Sequence, residues 1–330
     1  NFDKIRKLKP KNSCMAIRKN YLCVSTSTTL TLYDVASGSV INSIRAKRSF
    51  GYLEFLSDEI ILVECDSEYG VVYHLPDFEL ISRTKKYETI WPDCYPLSDG
   101  IHYIYRYSFV NKTIRIEGMS LNNRLKVDTI GVDSPYEIPL REKGLPFRIS
   151  KFFYDNSRDH GVAVITYLNE GDIYENFAWC EFNKSGLLKS EPLDRADCRA
   201  YLEGWFWDDG IQYYVCSHIP PEVSERKVML YSSKESKWSA IAPLVPELAL
   251  FKVDCSLKKK YVLLEFLGLY GNITVQVVNY KDLSTIKKCT FRNAVNFRVQ
   301  EDKILLSTSK GSYVMDMDTF METDEDLRDL

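Results

Sequence analysis

Four short strand-like runs follow one another at residues 14–17, 21–24, 29–35 and 40–44, divided by turn residues at 19–20, 25–28 and 36–38. Val, Ile, Thr, Tyr and Leu dominate the runs, while Asn, Ser and Gly punctuate the breaks, the pattern of an up-and-down antiparallel sheet. A four-stranded sheet of this size cannot bury both of its faces alone. It needs like sheets stacked on either side, so a chain that opens this way has to repeat the unit.

The layout does recur, imperfectly, to the end of the chain. Further sets of four fall at 52–56, 60–65, 71–75 and 78–83, then at 87–97, 101–108, 113–119 and 125–130. The next are 147–154, 162–168, 177–182 and 187–188, then 200–207, 211–216, 228–231 and 238–241, then 250–255, 261–266, 273–280 and 283–287. A last set has three clear members, 295–299, 304–307 and 313–317. Its fourth strand is expected from residues 2–8, which would pair the chain ends and remove open sheet edges. The other donor is Phe320-Met321. The layout predicts an all-β fold: a single β-propeller over residues 1–320, with seven four-stranded blades and an acidic tail at 321–330. Loose spacing in the third to fifth sets leaves six or eight blades open.

Composition narrows the function. The chain is 45% apolar with 22 Tyr and 16 Phe, ample for a packed core. A net charge of −3 argues against a bulk nucleic-acid binder, which usually needs a basic field. Of nine cysteines, Cys23, Cys65, Cys180 and Cys216 sit inside apolar runs and read as small buried hydrophobes. There is no CxxC pair, and the Cys and His positions show no metal-site spacing, so no metal or cofactor is expected. The unpaired cysteines point to a reducing compartment, cytoplasmic or nuclear. No apolar stretch reaches membrane-span length, so no membrane partner is expected; the densest, 261–267, is strand-sized. No signal peptide is visible, and because the chain opens on Asn1 rather than Met, a preceding segment is expected.

Tyr33-Asp34, followed by Gly38, resembles a WD-repeat protein, in which an aromatic-Asp pair ends the third strand and a Gly-containing turn leads to the outer one. Met315-Asp316 stands at the matching place in the last set. Elsewhere Tyr73-His74, Tyr231-Ser232 and Asn279-Tyr280 replace the pair, and no Gly-His dipeptide opens any set. The resemblance is to a degenerate WD-like propeller held by apolar packing. It implies a surface that binds another protein. In F-box-type substrate receptors of ubiquitin ligases such a propeller follows an adaptor segment, which makes substrate recognition the most concrete expectation and a generic complex scaffold the next.

Catalytic constellations are missing from the sequence. It has no phosphate-binding Gly loop, GxSxG elbow or HExxH pair. His74, His102, His160 and His218 lie in or beside strand runs and are assigned structural hydrogen bonds. A hydrolase would need carboxylates converging from the innermost strands, for which Glu54, Asp93, Asp155, Glu203 and Asp254 are candidates. Strand capping is the simpler role for each, so no catalytic residue is assigned.

The loops carry the binding expectation. Connections from a fourth strand to the next first strand, and from a second to a third, share one face, the top. Two long insertions fall there, 131–146 and 217–226. On the same face the segments 45–48, 83–86 and 287–292 hold nine basic residues and no acid. Acidic segments at 169–172, 191–194 and 222–225 lie across the ring. Tyr69, Trp91, Tyr136 and Tyr270 could supply aromatic anchors. The residues expected to bind a partner protein are Arg45, Lys47, Arg48, Lys85, Lys86, Trp91, Tyr136, Arg141 and Arg292.

Overall fold

A computed structural model of the chain describes residues 5–45, 49–65, 69–83, 101–108, 113–121, 127–130, 136–139, 147–155, 158, 160–167, 176–183, 186–192, 199–219, 227–244, 248–268 and 271–323. These residues form two compact units, Asn1–Leu53 with Asp197–Leu330, and Glu54–Ala196.

Strands are numbered in chain order. After β1 (Ile5–Leu8) comes a sheet of β2 (Cys14–Arg18), β3 (Tyr21–Ser25), β4 (Thr29–Asp34) and β5 (Val40–Arg45). The second holds β6 (Phe50–Phe55), β7 (Ile60–Cys65), β8 (Tyr69–His74) and β9 (Glu79–Arg83). The third holds β10 (Ile101–Ser108), β11 (Thr113–Leu121), β12 (Val127–Ile130) and β13 (Tyr136–Pro139). The fourth holds β14 (Phe147–Asp155), β15 (His160–Tyr167), β16 (Asn176–Asn183) and β17 (Gly186–Pro192). The fifth holds β18 (Arg199–Asp208), β19 (Ile211–Ile219), β20 (Lys227–Ser232) and β21 (Lys237–Pro243). The sixth holds β22 (Ala249–Ser256), β23 (Tyr261–Leu267), β24 (Ile273–Asn279) and β25 (Thr285–Phe291). The seventh holds β26 (Ala294–Gln300), β27 (Lys303–Thr308) and β28 (Ser312–Asp316), with α1 (Met317–Glu322) after it. Its fourth strand is β1, antiparallel to β28 with Ile5 opposite Met315 and Leu8 opposite Ser312.

Burial explains the strand sequences. In the sixth sheet the second and third strands are covered on both faces and are largely apolar; every residue from Val262 to Phe266 and from Ile273 to Val278 is buried. The fourth strand β5 is largely exposed, with half-buried residues only at Asn42 and Ile44. In the larger unit the first strands β18, β22, β26 and β2 pack side by side in that order. Apolar cores fill each gap between those sheets. Phe206, Val215 and Leu230 meet Val262, Leu264 and Tyr280; Leu263, Val277 and Phe291 meet Phe297, Ile304 and Phe320; Leu305 meets Met15, Ile17 and Val24. In the smaller unit Leu56, Ile60, Leu62 and Val72 cluster. Among the described residues no helix is long and apolar enough to cross a membrane.

Two devices recur where the sequence shows no common residue. First strands of the fourth to seventh sheets each carry a bulge, between Ile149 and Lys151, Leu202 and Gly204, Leu250 and Lys252, and Ala294 and Asn296. Such a bulge bends the strand and sharpens its twist. At Gly204 a Cβ would meet Val253 Cγ1 at 2.9 Å, so only glycine lets β18 approach β22 there. In the first, second, fifth and sixth sheets the turns from third to fourth strand share a left-handed residue: Gly38 (φ 72°), Phe78 (58°), Ser236 (49°) and Leu283 (65°).

Four expectations change. In the third sheet both β12 and β13 pair along β11, opposite Gly118–Leu121 and Thr113–Ile116 respectively. The fourth described strand of that sheet is therefore β13, while 87–97 lies outside the described residues. Tyr136, expected in a loop, stands in β13 opposite Ile116. Phe320 and Met321 belong to a helix, with Phe320 fully buried between β25 and β26, so they supply no strand. In the sixth sheet the residue matching Asp34 is Asn279, which places the WD-like pair at Val278-Asn279, one residue earlier than expected.

Candidate functional site

Hydrogen bonds show why Tyr33-Asp34 and Gly38 form a working turn. Tyr33 is buried while the Asp34 carboxylate accepts from Ser37 N–H at 2.6 Å and Ser37 Oγ at 2.7 Å. Gly38 N–H then returns to Asp34 C=O, and Asp34 N–H donates to Ser39 C=O. In the sixth sheet Leu283 N–H bonds Asn279 C=O and Asn279 N–H bonds Ser284 C=O, the same circuit with Asn for Asp and Leu for Gly. The resemblance is thus a turn cap repeated in altered chemistry.

At the end of the sheets where each fourth strand hands over to the next first strand, Arg45 closes β5 and Arg292 lies in the turn between β25 and β26. Both are exposed, with no ion pair among the described residues. Below them, a main-chain bond from Asn12 N–H to Thr308 C=O ties the chain start to the seventh sheet, and one from Ser309 N–H to Asn293 C=O ties the β27–β28 turn to the turn that holds Arg292. A buried hydroxyl cluster completes the seam: Ser13 N–H donates to Ser307 Oγ at 2.7 Å, and Ser13 Oγ lies 2.6 Å from Ser312 Oγ. Lys47, Arg48, Lys85, Lys86, Trp91 and Arg141 lie outside the described residues, as does Tyr270, and Tyr69 is in β8.

Of the inner-strand carboxylates, Asp254 is engaged in structure. Its Oδ2 accepts from Lys252 Nζ at 2.8 Å and from Val299 N–H at 2.8 Å, bonding the sixth sheet to the seventh. Lys252 also donates to Phe297 C=O at 3.2 Å. Next in line, Arg298 donates to Leu53 C=O at 2.9 Å and lies over the Tyr52 ring at 5.0 Å, while Gln300 Oε1 accepts from Ile17 N–H. Glu203 occupies the β18 bulge and accepts from Ser217 Oγ at 3.3 Å. Glu54 is buried, Asp93 lies outside the described residues, and Asp155 ends β14. Glu265, which sequence reasoning passed over inside an apolar strand, is 1% exposed and 3.5 Å from Lys252 Nζ, with neither oxygen hydrogen-bonded among the described residues. Burial holds its carboxyl well above the usual carboxylate range, against the partial pull of Lys252. Among the described residues no group of three His, Cys, Asp or Glu side chains is placed to hold a metal.

A second region was not anticipated. Between the fifth and sixth sheets, at the end of the strands away from Arg45 and Arg292, a cavity of about 160 Å³ opens beside Tyr213, Tyr280 and Lys281. The Phe206 and Tyr213 rings stack at 5.1 Å, and the Tyr280 ring stands 5.0 Å from each. Lys281 Nζ sits 5.3 Å from both tyrosine rings, donates to Tyr213 Oη at 3.1 Å and pairs with Asp208 at 2.7 Å. Lys260 takes the other Asp208 oxygen at 2.5 Å. Burial alone would raise the Asp208 carboxyl, but the two ammonium groups outweigh it and hold it below the usual range. Burial, and then the Asp208 charge, push the Tyr280 phenol up, so it stays protonated. The sequence signal was the pair of Tyr-flanked turns at 209–213 and 280–284, which falls on one site only once the two sheets pack.

No family model matches this chain, and no curated protein matches it. Solved structures do. The β-propeller domain of Cps50 (Swd1) from Myceliophteria thermophila has a TM-score of 0.59 at 11% identity, over 94% of this chain and 99% of that one. Sqt1 from Saccharomyces cerevisiae gives 0.59 at 10%, over 94% and 97%. Hydrazine synthase from Kuenenia stuttgartiensis gives 0.59 at 11%, over 97% of each chain. With its four-stranded antiparallel sheets, the chain has the all-β, β-propeller fold. Identity this low speaks for the fold alone, and that fold serves unlike activities.

Proposed function

We propose that the chain is a non-enzymatic protein-recognition module that binds a partner protein through the handover end of its sheets. One contrast supports this most. On the first strand β22, Asp254 and Lys252 are spent on bonds to the seventh sheet, to Val299 N–H and Phe297 C=O, whereas Arg45 and Arg292 at the strand ends are exposed and have no ionic partner among the described residues. Cations so placed steer association through complementary charge. A carboxylate already holding Lys252 and a backbone N–H is poorly placed as a general acid or base, which disfavours a hydrolase.

In its most concrete form the role is substrate recognition in a ubiquitin ligase complex, with an adaptor protein as a further partner; a scaffold subunit of another complex is the more general form. Both roles fit a cytoplasmic or nuclear protein. The test is quantitative affinity capture of the wild-type chain against an Arg48→Glu, Lys85→Glu, Lys86→Glu, Arg292→Glu variant. A partner enriched by the wild type and depleted from the variant supports the proposal. Equal recovery of every partner by both chains removes its basis.

A further inference from the structure

The cavity between the fifth and sixth sheets has a rigid floor, a cationic rim and an apolar lip. Its floor is fixed by the Phe206, Tyr213 and Tyr280 rings, and Lys281 is immobilised above two of them, its charge answered by Asp208. The charge left to recruit a ligand is therefore on Lys234, in the turn after β20, and Lys237, at the start of β21. Both are exposed and have no ion pair among the described residues. Across from them Leu283 is 36% exposed in the left-handed position that Gly38 takes in the first sheet. A leucine there leaves its apolar side chain partly at the surface, where it lines the cavity. Leu230 and Ile211 continue the apolar wall, and Ser232 and Ser239 supply hydroxyls between wall and rim.

We propose that this cavity docks a short acidic segment of a partner protein, one apolar side chain entering between Leu230 and Leu283 while flanking carboxylates meet Lys234 and Lys237. Size decides against a cofactor: about 160 Å³ is well below the roughly 300–1,000 Å³ of small-molecule sites, but suits a single anchoring side chain. Charge decides against nucleic acid. The lining holds Lys234, Lys237 and Lys281 against Glu235, with apolar leucines between, rather than a continuous basic track along which phosphates could run. The site lies at the opposite strand ends from Arg45 and Arg292, so it is independent of the handover-end surface and would let the module hold two protein segments at once.

Fluorescence anisotropy with the full chain and a short labelled peptide of alternating Glu and Leu tests the proposal at about 50 mM salt, where screening is weak. The acidic peptide is expected to bind, and counterparts with Lys for Glu or Ala for Leu are not. Lys234→Glu with Lys237→Glu should weaken binding by about tenfold or more while leaving the melting curve unchanged, since both positions are exposed. Leu283→Asn, which keeps a residue tolerant of the left-handed turn, should also weaken it. Arg45→Glu with Arg292→Glu should leave it unaltered, which separates this result from the handover-end surface. The proposal is overturned by any of four outcomes: no binding up to millimolar chain, equal binding by the double lysine variant, equal binding of the Ala-for-Leu peptide, or full displacement by a single-stranded RNA oligonucleotide or by inorganic phosphate.

Discussion

Removing one side chain at the start of the chain tests the closure of the seventh sheet. Leu8 is 6% exposed and packs with Met15, Ile17, Leu22, Val24 and Leu305, so it joins β1 to the first and seventh sheets at once. Around it, Ser312 Oγ donates to Pro10 C=O at 2.8 Å, and Lys7 Nζ lies 5.4 Å over the Tyr313 ring. Leu8→Ala forfeits burial and leaves a cavity, a change that costs about 2–5 kcal/mol in packed cores; a terminal strand can relax inward, which favours about 3 kcal/mol. For a unit of this size each kcal/mol moves the melting temperature by about 2–4 °C, giving a fall of about 6–12 °C. Deleting residues 1–9 removes the β1–β28 ladder as well and bares the edge of β28, so a larger fall or aggregation is expected. Differential scanning calorimetry reads both. A Leu8→Ala chain melting within about 1 °C of wild type would refute the reasoning, because no well-packed Leu→Ala change is that small.

Other perturbations follow from single contacts. Gly204→Ala drives a Cβ to 2.9 Å from Val253 Cγ1 and should cost about 1–3 kcal/mol by overpacking, read by urea denaturation. Asp208→Asn removes the carboxylate that holds Lys281 and the nearer of two at Lys260, and should cost about 1–2 kcal/mol, discounted because both lysines are a third exposed. A depressed folded pKa gives stability that is present above the unfolded carboxylate value of about 3.9 and lost as pH falls through the lower folded one, so the gap between Asp208→Asn and wild type should hold from neutral pH downward and close only below about pH 4. Glu265 has the opposite sign. Its raised folded pKa gives stability present below about pH 4.3 and lost as pH rises, so Glu265→Gln should raise the melting temperature at neutral pH and give no gain in acid; a neutral-pH loss would contradict its assignment as a carboxyl whose ionisation burial penalises.

What could be read from the sequence was whatever is locally encoded. Runs such as 261–267 showed strands, because burial on both faces requires continuous apolar residues, and Tyr33-Asp34 with Gly38 showed a turn, because Asp caps and Gly tolerates positive φ. The same turn in the sixth sheet was misplaced by one residue, since no rule of residue preference puts Leu283 at φ 65°. The recurrent bulges were invisible for a related reason: the skipped positions 150, 203, 251 and 295 are Ser, Glu, Phe and Val, with no chemistry in common. Tyr136 was taken for a loop residue because β13 is only four residues long and interrupts a polar insertion. The cavity lined by Tyr213 and Tyr280 exists only through packing of two sheets, and Glu265 gave no sign that its carboxyl would be buried beside Lys252.

The central claim, recognition of a protein through the handover end, is tested most directly by association kinetics. The partner recovered by affinity capture is purified and its association rate constant measured with wild type and with the Arg48→Glu, Lys85→Glu, Lys86→Glu, Arg292→Glu variant, at low salt and at about 0.15 M, where the Debye length is about 8 Å. The expected result is a slower on-rate for the variant, a wild-type rate that falls with salt, and an unchanged melting curve for both chains. A variant that associates at the wild-type rate at both salt concentrations would contradict the claim.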